Sequence, residues 1–529
     1  MGNLWVKKPL KQLLEQAADT EKGLKRTLGA WNLVALGIGA IIGAGLFVRT
    51  AAASSEAAGP AVTLSFIVAA VGCAFAGLCY AEFAAMIPIA GSAYTYAYAT
   101  MGELVAWIIG WALVLEYALG ATTVSIAWSE YLNKLLGGSI PYEWSHSPFE
   151  HINKVVGMDK ISQFPAEIAK TAKEGVLALT DGQMAGLPDA LRGMIETQSG
   201  MMNLPALVIL LALTMLLIRG TQESAMVNAV IVFIKVAIVL IFIVVGWGYI
   251  NPENHTPYII DVANLPDHLK AEHMPWNKHG WGGILGGAGI VFFAFIGFDA
   301  VSTAAQEAKN PAKDMPIGIL GSLVVCTFLY ILFAHVLTGV ANWTEFKLAG
   351  KEASVAYAIQ NHMPGYEWLA TAVTVAILAG FSSVILVMLF GQSRVFYSMA
   401  QDGLIPKVFA ELHPEYRTPY KSNWILLGFA GLFAAFLPGS LAGDLTSFGT
   451  LLAFVLVSIG VWLLRRSDPN TARPFKTPLV PLVPILGALI CAAMLFSLDS
   501  TTLKTAMGWM AVGLVIYFGY SRHHSKFQK

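Results

Sequence analysis

Three ionisable side chains stand inside long apolar runs of this sequence: Glu116 in L-V-L-E-Y-A-L-G, Lys235 in V-I-V-F-I-K-V-A-I-V-L and Asp299 in F-F-A-F-I-G-F-D. A charge placed in hydrocarbon is costly, and where one persists it usually serves a function. Lys235 has about ten apolar residues on either side, too many for its ammonium to reach a membrane surface along the helix. Desolvation favours the neutral amine and a nearby carboxylate favours the ammonium, so such a lysine can exchange a proton as its surroundings change. Two glycine-bearing interruptions supply the other chemistry. One is G-I-G-A-I-I-G-A-G from Gly37 to Gly45, and the other ends in Gly297-Phe298-Asp299. Where a membrane helix breaks, unpaired N–H groups attract an anion and unpaired carbonyls attract a cation. An α-amino acid zwitterion carries both charges a short distance apart, and glycine lets the backbone approach it closely.

The chain that must position these groups has 529 residues, 56% hydrophobic and 12% charged, with a mean hydropathy of +0.62. Soluble proteins carry about 25% charged residues, so this composition excludes a string of water-facing domains. With 33 basic and 33 acidic residues there is no net field for nucleic acid. The four cysteines, Cys73, Cys79, Cys326 and Cys491, lie scattered in apolar runs and suit neither a disulfide framework nor a metal site. An all-α polytopic membrane protein is expected.

Stretches long enough to span a bilayer occur at about 31–55, 61–87, 104–131, 202–218, 226–249, 281–304, 317–341, 367–396, 424–438, 442–464, 478–497 and 503–521, twelve in all. If the polar, basic residues 1–30 form a cytoplasmic arm, twenty lysines and arginines fall on the cytoplasmic side and eleven on the other. That bias predicts that both termini, including the tail 522–529, are cytoplasmic. Residues 136–200 form one long outer insertion, expected to carry short surface helices. The breaks fall in the first and sixth spans, five apart, so the two broken helices enter the membrane from opposite faces. Matching breaks in oppositely oriented halves point to an inverted-repeat transporter with its site between them.

The same stretches carry a resemblance. G-I-G-A-I-I-G-A-G-L-F-V, C-Y-A-E-F-A-A-M-I-P-I-A-G-S-A-Y-T-Y-A-Y from Cys79, L-E-Y-A-L-G-A-T-T-V-S-I-A-W-S from Leu115, F-I-K-V from Phe233, F-F-A-F-I-G-F-D-A-V-S-T-A-A-Q-E-A-K-N-P from Phe292 and D-G-L-I-P-K-V-F from Asp402 closely resemble the amino acid–polyamine–organocation (APC) superfamily, and within it the cationic amino acid transporter family. The resemblance covers nearly everything outside 136–200. It implies the leucine-transporter fold: a first inverted repeat over 31–250 (helices 1–5), a second over 281–464 (helices 6–10), and helices 11–12 over 478–521. It implies that the substrate carboxylate meets Ile42, Gly43, Ala44 and Gly45. The substrate amino group would meet carbonyls of Phe293, Ala294 and Ile296. It associates a lysine in the place of Lys235 with proton coupling.

The expected function is proton-coupled uptake of L-amino acids, cationic or small and neutral, by alternating access across a bacterial-type cytoplasmic membrane. An exchanger and a sodium-coupled symporter are the alternatives, with Ser382-Ser383 as candidate sodium ligands, and a membrane sensor is a remote one. No enzyme motif occurs. No cofactor is implied beyond a coupling proton, and the partners are the amino acid and the lipid bilayer, with any small accessory subunit left open. Glu116 is expected to lie near Lys235 as a relay, to line the side-chain pocket, or simply to tie helices together, and Asp299 to hold or gate the second break. Glu82 reads as a structural carboxylate near the inner end of the second span and His335 as a satisfied core histidine. Arg49, four residues past Gly45, faces an outer vestibule or pairs with Glu56. His146, Glu150 and His151 lack a third ligand at metal-binding spacing.

Overall fold

A computed structural model describes every residue except 1–3, 11, 14, 16–23, 44, 165–175, 180–186, 266–269, 271–272, 349–353, 438, 497, 499 and 529. Hydrocarbon offers the backbone no hydrogen-bonding partner, so apolar runs of this length must close their bonds within helices. The long helices are α1 (Ala30–Ile41), α2 (Val62–Met86), α3 (Glu103–Leu135), α4 (Leu204–Arg219), α5 (Thr221–Gly246), α6 (Gly280–Phe292), α7 (Pro311–Val340), α8 (Glu367–Gln401), α9 (Tyr420–Phe436), α10 (Gly439–Ser467), α11 (Leu482–Phe496) and α12 (Ser500–Ile516). Among the described residues, eight helical stretches are long and apolar enough to cross a membrane, and α1, α4 and α11 are shorter apolar helices. The most apolar part of α8 is 83% buried and that of α3 78%, against 33% for α5, so α3 and α8 form the centre. The periphery turns Phe233, Val244, Phe328 and Val515 outward, the surface that lipid tails cover.

Two helices are interrupted. After Ile41 the chain bends at Ile42 and Gly43 and resumes as a π-helical turn, Gly45–Arg49. After Phe292 a 3₁₀ turn, Phe293–Phe295, leads to an extended Ile296 (ψ 134°) and then to Gly297, whose φ of +113° excludes most side chains. A nine-residue 3₁₀ helix, Asp299–Glu307, follows. The two breaks cross at contact. A methyl group built on Gly45 would lie 2.2 Å from Ala294 Cα, and one on Gly297 would lie 2.7 Å from Ala40 Cβ.

The insertion differs from expectation. Short helices are present at Met158–Ile161 and Asp189–Arg192. Its organising element, however, is an antiparallel sheet in the order β2–β1–β3, with β1 His151–Val156, β2 Val176–Leu179 and β3 Glu196–Ser199. Asn153 stands opposite Leu179 on one side and Thr197 on the other. Val155 and Leu177 pack with Ile161, Phe164 and Leu187 in a separate small core. Strands this short carry a weak alternation signal, and their pairing is non-local.

The polar face that carries the termini is tied down by buried charge pairs. Glu82 accepts from Arg465 at 2.9 and 2.8 Å and from the Thr477 amide at 2.7 Å, with Arg473 at 3.2 Å, the structural role read for it. Arg394 pairs with Glu307 at 2.9 Å with both side chains fully buried. The N-terminal arm docks: Lys8 is buried and its ammonium reaches Asp402 at 2.5 Å.

Because Gly45 abuts backbone at the crossing, Gly45→Ala is expected to cost the folded protein about 1–3 kcal/mol through overpacking. Gly428 in α9 has open space around its Cβ, and Gly428→Ala is expected to be neutral or to stabilise by about 0.5–1 kcal/mol. Thermal melts of the two purified variants against the parent check the contrast.

Candidate functional site

Lys235 projects from α5 into the first break and is fully buried. Its Nζ donates to Gly39 O at 3.0 Å, to Ile42 O at 2.7 Å and to Ser383 Oγ at 2.7 Å. A lysine ammonium has three donors and no acceptor, so these three partners saturate it. Gly39 and Ile42 offer carbonyls because the helix that would have used them stops at Ile41. Ser383, on α8, passes its own hydroxyl proton to Gly39 O or Gly380 O, each at 2.8 Å. The pairing partner is therefore backbone and a hydroxyl rather than a carboxylate. Ser382 bonds back to Leu378 O within its own helix.

The second break is held by a residue that sequence reasoning missed. Tyr330 on α7 places its hydroxyl 2.8 Å from Ile41 O and 2.9 Å from Ala294 O. Its single proton serves one carbonyl at a time, tying the end of α1 to the 3₁₀ turn after α6. Of the three carbonyls expected to meet an amino group, Ala294 thus shares Tyr330, and Phe293 O accepts from the Ile296 amide at 3.3 Å. The only signal for Tyr330 in the sequence is a single tyrosine in the apolar run F-L-Y-I-L.

Between the breaks lies a cavity of about 20 Å³, lined by Gly43, Gly45 and Ile296, by Val124 and Gly120 on α3, by Val384 and Met388 on α8, and by Phe293 and Thr446. That is room for about one water, so the walls close on the centre. Of the expected contacts, Gly43, Gly45, Phe293 and Ile296 are brought together there. Ile42 is turned toward Lys235 through its carbonyl, and Ala44 lies outside the described residues. Phe293 also lines a second, much larger space of about 400 Å³ on the side away from the termini, together with Arg49, Glu56, Trp276 and Lys278. Arg49 thus faces a vestibule, as one of its two readings had it.

Glu116 is not at the cavity. It sits one helical turn from Gly120, fully buried, with its Cβ against Gly449. Its carboxyl is turned to that of Asp299, without a well-aligned hydrogen bond on either oxygen. Tyr117 donates to the other side of Asp299 at 2.8 Å. Of the readings of Glu116, a tie between helices fits this geometry, since one turn of helix carries the carboxyl past the cavity lining toward the 3₁₀ segment that begins at Asp299. His335 is half-buried against His255, with ring centroids 4.6 Å apart. In the insertion, Glu150 accepts from the Ser147 amide and hydroxyl, and His146 stacks on Tyr142. Among the described residues no group of three His, Cys, Asp or Glu could hold a metal.

Two broken helices, a saturated lysine at the first and a closed cavity between them describe a carrier, and comparison with known proteins agrees. The amino acid permease family matches residues 28–519. The chain belongs to the amino acid permeases of the APC superfamily. This family consists of transporters, not enzymes. The chain is 41% identical over 525 residues to the branched-chain amino acid permease BcaP of Bacillus subtilis (strain 168), covering 99% of each chain. It is 39% identical over 529 residues to the methylthioribose transporter of the same organism, covering 100% of each. Similarity to the vacuolar cationic amino acid transporter 4 of Arabidopsis thaliana is lower, 31% over 85% of this chain and 65% of that one.

Gly43 can test the cavity. A methyl group there would lie 2.6 Å from Val384 Cγ2, a side chain rather than backbone. Gly43→Ala is expected to weaken amino acid binding roughly tenfold, about 1.4 kcal/mol, and Val384→Ala in the same chain to restore much of the loss. Equilibrium binding of radiolabelled leucine to the single and double variants reads both numbers.

Proposed function

We propose that this permease is a secondary active transporter that carries neutral L-amino acids with branched or small side chains into the cell, coupled to protons. The observation that carries the coupling is the ammonium of Lys235 shared by Gly39, Ile42 and Ser383. Protonated, it holds α1 against α8 through charge-assisted hydrogen bonds. Deprotonated, it gains an acceptor lone pair and loses one donor and its charge, and the grip on the first break weakens. Loss of the proton to the cytoplasm then lets the inner half of α1 swing away. An ammonium in this place also repels a sodium ion, which argues against Ser382 and Ser383 as ion ligands.

The zwitterion is read across the two breaks. Its carboxylate takes the N–H groups that open after Gly43, with Ala44 and Gly45 expected among them, and its amino group takes carbonyl oxygen at the second break, Ile296 foremost. The side chain then meets Val124, Val384 and Met388, an apolar wall. A cationic side chain would need a buried counter-charge, and Glu116 is directed to Asp299 instead. This favours neutral substrates, in keeping with the branched-chain amino acids for which the Bacillus relative BcaP is named. Twelve spans arranged as two inverted repeats of five plus two, with both termini in the cytoplasm, complete the proposed architecture for the cytoplasmic membrane of a bacterium.

A second reading has one observation behind it, the full-length similarity to a methylthioribose transporter. That sugar thioether lacks both charges of a zwitterion. Uptake into proteoliposomes separates the readings. Leucine or valine is expected to accumulate on an inward proton gradient and to ignore a sodium gradient, with methylthioribose failing to compete. Accumulation that demands sodium contradicts the coupling, and competition by methylthioribose at leucine's own concentration range contradicts the zwitterion site.

A further inference from the structure

We infer that Arg49 is a specificity-determining residue, a fixed positive charge at the neck between vestibule and cavity that turns away amino acids with cationic side chains. The inference rests on the neutral-substrate reading above and deepens it.

Among the described residues, Phe293 is the one that lines both the 20 Å³ cavity and the 400 Å³ vestibule. A substrate passing from one to the other therefore passes its ring. The Arg49 guanidinium lies over that ring, 5.2 Å from its centroid. The sequence makes this neighbourhood: Gly45 lines the cavity, and Arg49 stands four residues on, at the far end of the same π-helical turn, with its side chain in the vestibule wall. Among the described residues, the charged side chains of that wall are Arg49, Lys278 and Glu56, and Arg49 is the one over the Phe293 ring. A zwitterion brings no net charge to this neck. Lysine or arginine brings one, and it must come within a few ångströms of the guanidinium at a place where protein walls have replaced much of the water. At about 6 Å and an effective dielectric constant of about 40, two like charges disfavour each other by roughly tenfold. Among the described residues, the side-chain wall of the cavity adds no compensating carboxylate. The guanidinium also steadies Phe293, since a planar cation over an aromatic face is attractive, so the same contact keeps the neck shut while no substrate occupies it.

The two roles separate by charge and shape. Norleucine and lysine form a suitable probe pair, because they differ by the terminal ammonium. Each is measured as a competitor of radiolabelled leucine bound to purified full-length protein, and then by uptake in proteoliposomes. The parent is expected to favour norleucine. Arg49→Gln is expected to narrow the norleucine-to-lysine ratio about tenfold, mainly by improving lysine, and Arg49→Lys to keep the ratio. The parent's ratio is expected to shrink at high salt, since the vestibule is open to ions. An unchanged ratio in Arg49→Gln, or a ratio in Arg49→Lys that falls as far as in Arg49→Gln, overturns the filter. A variant that binds no competitor also overturns it, because the residue would then be structural. Failure of the substrate reading shows differently: a parent protein that binds neither leucine nor norleucine contradicts both readings before any variant is compared.

Discussion

A single buried ammonium and a broken helix satisfy each other in this fold. Carbonyls freed at the end of α1 cannot turn to water in the membrane interior, and an unpaired one there costs several kcal/mol. A lysine in the same place has three donors and no solvent. Bringing Lys235 to Gly39, Ile42 and Ser383 resolves both demands with three hydrogen bonds of 2.7 to 3.0 Å. The helices around the site follow from it. α5 must lie close enough for a lysine side chain to reach α1, and α8 must present a hydroxyl that can accept from the lysine and donate onward to backbone.

The second break is bound to the first more tightly than side-chain packing alone requires. Gly45 and Gly297 let the two interrupted helices meet backbone to backbone, and Tyr330 spans their carbonyls. Motion at one break is therefore felt at the other. In the proposed mechanism, proton loss from Lys235 and substrate arrival at the cavity act on one mechanical unit, and Phe293, carried by the second break, moves with it at the neck. The face bearing the termini is fastened separately, by Arg394 on Glu307 and Lys8 on Asp402. In the proposed orientation, with the termini in the cytoplasm, an inward opening has to loosen contacts of that kind as well.

Much of this was legible in the residues. Lys235 announced itself because a lone charge in a long apolar run has few innocent explanations, and the breaks because glycines clustered where a helix should have been strongest. Glu82 read correctly from its place near a helix end. Other features depend on rotation and distance that no local pattern encodes. Glu116 lies on the same helix as cavity residues Gly120 and Val124, yet one turn separates a pocket wall from a carboxyl facing Asp299. Tyr330 sits in an ordinary apolar run, and its hydroxyl matters only because two other helices stop opposite it. The small sheet in the insertion pairs strands roughly 20 to 50 residues apart whose alternation is too short to stand out. Arg49 was visible as an odd residue, but its position over Phe293 required the π-helical turn that carries it there.

The coupling role of Lys235 is the claim on which the proposed transport cycle stands, and Lys235→Ala in proteoliposomes tests it most directly. The variant is expected to retain counterflow of leucine against preloaded leucine, which needs only the site and the alternation. It is expected to lose accumulation above equilibrium on an inward proton gradient. A Lys235→Ala protein that concentrates leucine on that gradient as well as its parent would contradict the coupling.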